Sequence, residues 1–149
     1  MVQLSDGRYL WESNAIMCFL ADGSPLFPDE PFARAKVMQW LFFEQYSHEP
    51  YIAVSIFIVK YLRNPADRQL DLAAKRKPGY AALGVMDGQL EQTDFMAGDD
   101  YSIADIALYA YTHRATEGGF KLEDFPNVQR WLESVRGQPG HVSMDNALN

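Results

Sequence analysis

The chain begins with a β-hairpin pattern, and no later segment offers strands that could complete a sheet. Val2 and Leu4 precede a turn at residues 5–8, and Tyr9 to Trp11 come after it. The Asp-Gly pair in this turn permits the positive φ that a tight hairpin turn requires. An isolated two-stranded hairpin is only marginally stable in water, so most of the stabilising core must come from the helical patterns later in the chain.

A long helix is predicted from Phe32 onward, because Val37, Met38 and Leu41 recur at helical spacing. Its continuation, YIAVSIFIVKYL at residues 51–62, is β-branched enough to be a strand by propensity alone. We expect this stretch to remain helical, since no partner strand is visible and Pro50 can occupy a kink.

A second long helix is predicted for residues 67–93, where Leu83, Met86 and Leu90 belong to a near-heptad apolar pattern. Pro78-Gly79 lies in the middle of this pattern, and we expect it to bend or interrupt the helix.

Two shorter helices complete the chain. Ser102 and Asp105 have the spacing of a capping box, with Asp in place of the usual Glu, so we expect Asp105 to be a structural cap. The last helix should begin at Pro126 and end at Gly137.

The fold class is therefore mainly α. The segment DGSPLFPDEP, rich in Gly, Pro and Asp, indicates a linker between two parts of the chain. We predict a hairpin-plus-helix unit at residues 1–22, a linker at 23–31 and an all-helical domain at 32–149.

Composition narrows the possible partners. The chain has 149 residues, 48% of them hydrophobic, which is enough for one well-packed core. Its formal net charge of −7 disfavours binding to nucleic acid or to an anionic membrane. The single cysteine, Cys18, has no partner for an internal disulfide, and the start of the chain lacks a signal-peptide pattern. We expect a cytoplasmic protein without a membrane span, with Cys18 packed as an unreactive thiol.

The helix start at Glu12-Ser13 differs from the one at Ser102. The residue three positions after Ser13 is Ile16, so no carboxylate closes off the first amides of this helix. The free amides and the Ser13 hydroxyl could bind a carboxylate, while Glu12 offers an acceptor for an ammonium group. This set suits an amino-acid zwitterion, and the alternative is an ordinary Ser N-cap.

The motifs together resemble those of the glutathione S-transferase superfamily. The series L-x-E-S-N-A-I-x-x-F-L-A after a D-G hairpin is similar to the end of that family's thioredoxin-like domain. RAKVMQWLFFEQ, HEPYIAV, GDDYSIADI and FPNVQRWLESV then occur in the order of its all-helical C-terminal domain. The resemblance spans nearly the whole chain.

This resemblance implies that Glu12 and Ser13 hold the γ-glutamyl end of glutathione. It also implies that a βαβ unit with the thiol-activating Ser, Cys or Tyr would precede Met1, so we expect the catalytic residue to lie outside this chain. We further expect an electrophilic small molecule as co-substrate and a homodimer.

One face of the long helix is polar and aromatic, because Glu44, Ser47, His48 and Tyr51 succeed one another at helical spacing. The resemblance places the inner face of this helix against the co-substrate cleft, so these four residues are predicted to line it. A solvated stripe or hydrogen bonds within the core would explain the same pattern.

The sequence contains no metal-ligand spacing and no nucleotide-binding motif, so we expect glutathione as the substrate and neither a metal nor a nucleotide cofactor. The favoured function is conjugation of glutathione to an electrophile. The alternative is a non-catalytic glutathione-binding or protein-interaction module of the same fold.

Overall fold

The computed structural model describes residues 1–143 and consists of a short hairpin and a set of helices. Strands β1 (Val2–Gln3) and β2 (Tyr9–Leu10) pair antiparallel, with Val2 opposite Leu10 and Gln3 opposite Tyr9. Gly7 in the connecting turn has φ of 86°, which confirms the expected role of the Asp-Gly pair. Part of the predicted domain 32–149, its last six residues, lies outside the described residues.

Six α-helices are found among residues 1–143. They are α1 (Ser13–Ala21), α2 (Pro31–Phe43), α3 (Glu49–Lys60), α4 (Gln69–Leu90), α5 (Ile103–Thr112) and α6 (Pro126–Arg136). A π-helical turn, Glu44–His48, joins α2 to α3, and 3₁₀ turns lie at Pro65–Arg68 and Ala115–Gly118. None of the helices in this part of the chain is long and apolar enough to cross a membrane.

Helix α2 begins at Pro31, one residue before the predicted start. The Glu30 carboxylate accepts hydrogen bonds from the amides of Phe32 and Ala33 at 3.0 and 2.7 Å. Pro31 occupies the first helical position, where its missing amide hydrogen costs nothing. The segment predicted as a linker therefore ends in a helix cap.

The β-branched stretch after Pro50 is helical, as predicted. Its side chains Ile52, Ile56 and Ile58 are at most 5% exposed, so core burial outweighs their strand propensity. The irregularity expected at Pro50 takes the form of the π turn just before it.

The expected interruption of the second long helix is wrong, because α4 continues through Pro78. The three apolar residues named for its predicted pattern, Leu83, Met86 and Leu90, are buried, and so is Leu72. Packing of this face retains helical geometry across the proline, whose lost backbone hydrogen bond affects one turn only.

The buried side chains form two clusters. The larger one joins α1, α2, α4, α5 and α6 around Trp131, Leu108 and Met86. The smaller one joins α3 and α4 to the 3₁₀ turn Ala115–Gly118 and contains Ile52, Ile56, Leu83, Ala115 and Phe120. These clusters hold α1, α3 and α5, which carry the candidate site.

Candidate functional site

The backbone at the start of α1 has an unusual conformation. Glu12 occupies the N-cap position with φ of 70° and ψ of 118°, and it is the only non-glycine residue with positive φ among residues 1–143. Its carbonyl accepts the first helical hydrogen bond, from the Ile16 amide at 2.9 Å. Such a conformation costs about 1–3 kcal/mol in a non-glycine residue and is concentrated at functional sites.

The ordinary N-cap alternative for Ser13 is wrong, because Ser13 is the first residue of the helix itself. No side chain caps α1, and its first turn carries no acidic residue. Helices α2 and α5 are both capped, by Glu30 and Ser102. The positive end of α1 is therefore open, with the side chains of Glu12 and Ser13 exposed beside it.

Asn14 attaches this helix start to the end of α2. Its side-chain amide donates to the Leu41 carbonyl at 3.1 Å and to Glu44 Oε2 at 3.2 Å. The same carboxylate oxygen accepts from the side-chain amide Nε2 of Gln45 at 2.7 Å. Burial raises the pKa of Glu44, although these two hydrogen bonds oppose the rise. Glu44 thus positions α1 from within the core and is only 3% exposed.

His48 is fully buried, and its Nε2 lies 2.9 Å from the Thr112 hydroxyl of α5. Burial lowers the pKa of His48 to about 4, so the imidazole is neutral at physiological pH. His48 therefore connects the π turn to α5 through a buried hydrogen bond.

Ser47 in the π turn and Tyr51 in α3 lie on a different side of this helical segment from His48. Together with Phe43 and Val85 they line a shallow cavity of about 260 Å³ between the π turn and α4. The four residues predicted for the co-substrate cleft therefore do not line one common cavity, and their place in such a cleft stays a prediction.

The π turn explains this separation. The Glu49 amide bonds to the Glu44 carbonyl five residues earlier, so one residue more than in an α-turn is accommodated. Side chains that share a face at α-helical spacing are rotated apart by this extra residue. Sequence spacing therefore placed Glu44, Ser47 and His48 on one surface. In the structure Glu44 and His48 are buried, whereas Ser47 is partly exposed.

A cavity that sequence reasoning missed lies between α3 and α5 and measures about 410 Å³. Positions 49, 53, 57 and 61 recur every four residues along α3, and this stripe was the available signal. The Phe57 and Tyr61 rings stack with centroids 6.3 Å apart. The lining residues that bear aromatic or charged groups are Glu49, Phe57, Tyr61, Tyr111 and Arg114.

Arg114, which lines this cavity, belongs to a cluster of charged groups. Arg114 Nε and Nη2 donate to the two carboxylate oxygens of Glu117 at 3.0 and 2.8 Å. Lys60 Nζ donates to the same carboxylate at 2.7 Å. Arg114 Nη2 also lies 3.4 Å from the Tyr61 hydroxyl oxygen. The C-terminal end of α3 is thus tied to the 3₁₀ turn beside the cavity.

The predicted capping box is confirmed at the start of α5. The Ser102 hydroxyl accepts from the Ala104 amide at 3.3 Å, and Asp105 Oδ2 accepts from the Ser102 amide at 3.0 Å. Asp105 Oδ1 also accepts from the Met96 amide and from Trp131 Nε1, both at 2.9 Å. Burial raises the pKa of Asp105, while these bonds favour its charged form. Asp105 therefore connects three segments of the fold.

Cys18 is half-buried rather than enclosed. Its Sγ lies 3.9 Å from Met38 Sδ, and burial raises the pKa of the thiol. It also lines a cavity of about 270 Å³ beside Glu12, between α1 and the end of α2. A raised pKa reduces the thiolate fraction, which fits the expectation of an unreactive thiol.

Comparisons with known proteins agree with this architecture. Residues 39–139 match the family model for the C-terminal domain of glutathione S-transferase. Glutathione S-transferase D7 of Drosophila melanogaster is 31% identical over 89% of this chain. The chain spans 59% of that curated relative, which is less than two thirds of its length.

Solved structures show the same similarity. A glutathione S-transferase from Pseudomonas fluorescens is 56% identical, with a TM-score of 0.93 over 95% of this chain and 71% of that one. A glutathione transferase from Burkholderia graminis, with two glutathione molecules bound per subunit, is 28% identical with a TM-score of 0.78. That similarity covers 92% of this chain and 60% of the other.

Proposed function

The chain belongs to the glutathione S-transferase family, and on that basis we propose that it binds glutathione at the start of α1 for transfer to an electrophile. The observation that carries this proposal is the open N-terminus of α1. The γ-glutamyl carboxylate would accept from the free first-turn amides and the Ser13 hydroxyl. The γ-glutamyl ammonium would bind the Glu12 carboxylate.

The strained backbone of Glu12 supports the same proposal. A φ of 70° is costly for glutamate, and a glycine would adopt it readily. Neither the Glu12 nor the Ser13 side chain caps its own helix, so within the described residues no capping hydrogen bond from these side chains offsets the strain. A ligand that binds both residues would account for it.

The cavity between α3 and α5 is our candidate for the electrophile pocket. In the proposed reaction the glutathione thiolate forms an S–C bond with the electrophilic carbon, and the leaving group departs with its bonding electron pair. Glu12 and Ser13 account for glutathione binding and not for activation of its thiol. We assign thiol activation to no residue of this chain.

Calorimetric titration of the full chain tests the binding site. We expect Ser13→Ala and Glu12→Gln each to weaken glutathione binding about tenfold, since each removes one charge-assisted hydrogen bond. Glu123→Gln, which changes the same charge at an exposed position in the loop before α6, should leave the affinity unchanged. γ-Glutamylcysteine should bind and cysteinylglycine should not, because only the former has the γ-glutamyl group.

A second variant separates binding from stability. Glu12→Gly should lose affinity as Glu12→Gln does, yet it should unfold at a higher urea concentration because glycine relieves the positive φ. The proposal fails if the wild-type chain does not bind glutathione, or if Glu12→Gln binds it as tightly as Glu123→Gln does.

A further inference from the structure

The cavity between α3 and α5 combines an aromatic wall with charges of opposite sign at its two ends. Phe57, Tyr61 and Tyr111 supply the wall. Its volume of about 410 Å³ is in the range of small-molecule sites and accommodates a body of one or two rings.

Arg114 lines one end of this cavity and belongs to an ion-pair cluster with an excess of positive charge. Lys60 and Arg114 share a single carboxylate, that of Glu117, so two cations and one anion leave one net positive charge. The ion pair with Glu117 uses Nε and Nη2 of Arg114 and does not require Nη1. A guanidinium group in this position can therefore bind a second planar anion.

The other end is acidic and lies nearer α1. Glu49 lines the cavity in the first turn of α3, just after Glu44, whose carboxylate binds Asn14 of α1. Lys60 comes eleven residues after Glu49, or about 16 Å farther along the helix axis at 1.5 Å per residue. The Glu49 end is therefore nearer to α1, where we place the glutathione site, than the Arg114 end is.

We propose that the electrophile accepted by this cavity has an aromatic body and a carboxylate or similar anionic group that binds Arg114. Glu49 repels an anionic group at the near end, so the acidic substituent points away from glutathione and the reacting carbon points toward it. This inference rests on the proposed function only for the direction of the ligand, because binding of an aromatic acid requires no glutathione.

The test compares 2-naphthoate with 2-naphthamide, which share a ring system and differ in charge. In calorimetric titrations of the full chain without glutathione, we expect the acid to bind about fivefold more tightly, as one partly exposed ion pair allows. Raising the salt concentration should reduce this preference and leave the amide affinity nearly unchanged.

Two variants with opposite expected effects make the test independent of folding defects. Arg114→Gln should abolish the preference for the acid and preserve binding of the amide. Glu117→Gln should raise the affinity for the acid several-fold, because it removes the anion that competes for Arg114. An equal affinity for the two probes in the wild-type chain would overturn the proposal. A preference for the acid that survives Arg114→Gln would also do so, as would weaker acid binding by Glu117→Gln.

Further variants fix the location and separate the two proposals. Phe57→Ala should weaken both probes, whereas Phe19→Ala, at a similarly exposed phenylalanine outside this cavity, should affect neither. Equal effects of these two variants would place the probes elsewhere and overturn the proposal. Glu12→Gln should leave naphthoate binding intact. Failure of glutathione binding at Glu12 and failure of acid binding at Arg114 are thus distinguishable outcomes.

Discussion

At the scale of single residues, burial determines the protonation of His48. Its imidazole is enclosed in the core with a hydrogen bond to Thr112, and desolvation lowers its pKa from 6.5 to about 4. Folding therefore favours the neutral form. In the unfolded chain the same group takes up a proton as the pH falls below 6.5.

We predict a pH-dependent loss of stability from this side chain. Above pH 6.5 the His48 imidazole is neutral in both the folded and the unfolded chain, and it costs no stability by protonation. As the pH falls from 6.5 through about 4, the unfolded chain takes up a proton that the folded chain does not, and the free energy of unfolding has fallen by about 2 kcal/mol at pH 5. Urea unfolding at pH 7 and pH 5 gives the change in the free energy of unfolding between these two pH values. This change should be more unfavourable for the wild type than for His48→Gln, and the difference between the two proteins is the effect of His48. The raised pKa values of Glu44 and Asp105 act in the opposite direction and cancel in this comparison.

A matched control is Thr112→Val, which removes the hydrogen-bond partner and retains the buried imidazole. It should lower stability at both pH values and keep the wild-type difference between them. If His48→Gln shows the same difference as the wild type, burial of His48 is not the source of the pH dependence.

At the scale of elements, the close approach of α4 to the segment after the second 3₁₀ turn depends on one glycine. A Cβ atom at Gly79 would lie 2.4 Å from Phe120 Cε1 and 2.5 Å from its Cζ. Phe120 is itself only 1% exposed and packs in the smaller core cluster. The missing side chain at Gly79 therefore makes room for this ring.

We predict that Gly79→Ala lowers the free energy of unfolding by about 1 kcal/mol. Moving the buried ring to accommodate the new methyl group costs about 1–3 kcal/mol, and the higher helix propensity of alanine offsets about 1 kcal/mol of that cost. Gly88→Ala in the same helix is the matched control, because no atom lies within 4 Å of its added Cβ. It should be stabilising, and equal effects of the two substitutions would contradict the packing argument.

At the scale of the whole molecule, large apolar side chains remain exposed on neighbouring elements. Phe42 in α2 is 65% exposed, Tyr46 in the π turn 84% and Val85 in α4 51%. Exposed apolar surface of this kind often marks a protein interface. We propose that it is covered in a homodimer.

Sedimentation velocity over a wide concentration range checks this prediction. The wild type should sediment as a dimer, and Phe42→Lys should shift it toward the monomer by placing a charge in the interface. Leu70→Lys, at a position that is 88% exposed at the start of α4, should leave the dimer unchanged. A wild type that is monomeric at all concentrations would refute the proposal.

The elements that the sequence predicted are those with local causes. The Asp-Gly turn, the capping box at Ser102 and the ends of α6 at Pro126 and Gly137 each depend on residues a few positions apart. The open start at Glu12-Ser13 was visible in the same way, although the structure places the N-cap at Glu12, so the uncharged residue at the third helical position is Ala15 rather than Ile16. The mainly α fold class came from these local patterns.

Tertiary contacts decided the features of the site that the sequence did not predict. The bond from Asn14 to Glu44 joins residues 30 apart, and the one from His48 to Thr112 joins residues 64 apart. Sequence spacing does not reveal such pairs, nor the π turn that rotates Ser47 away from its neighbours. The sequence by itself thus determined the mainly α fold class and most of the helical segments, and it indicated the open start of α1. Only packing of the helices decided which polar side chains are buried and where a cavity forms, because burial is a property of distant surfaces brought together.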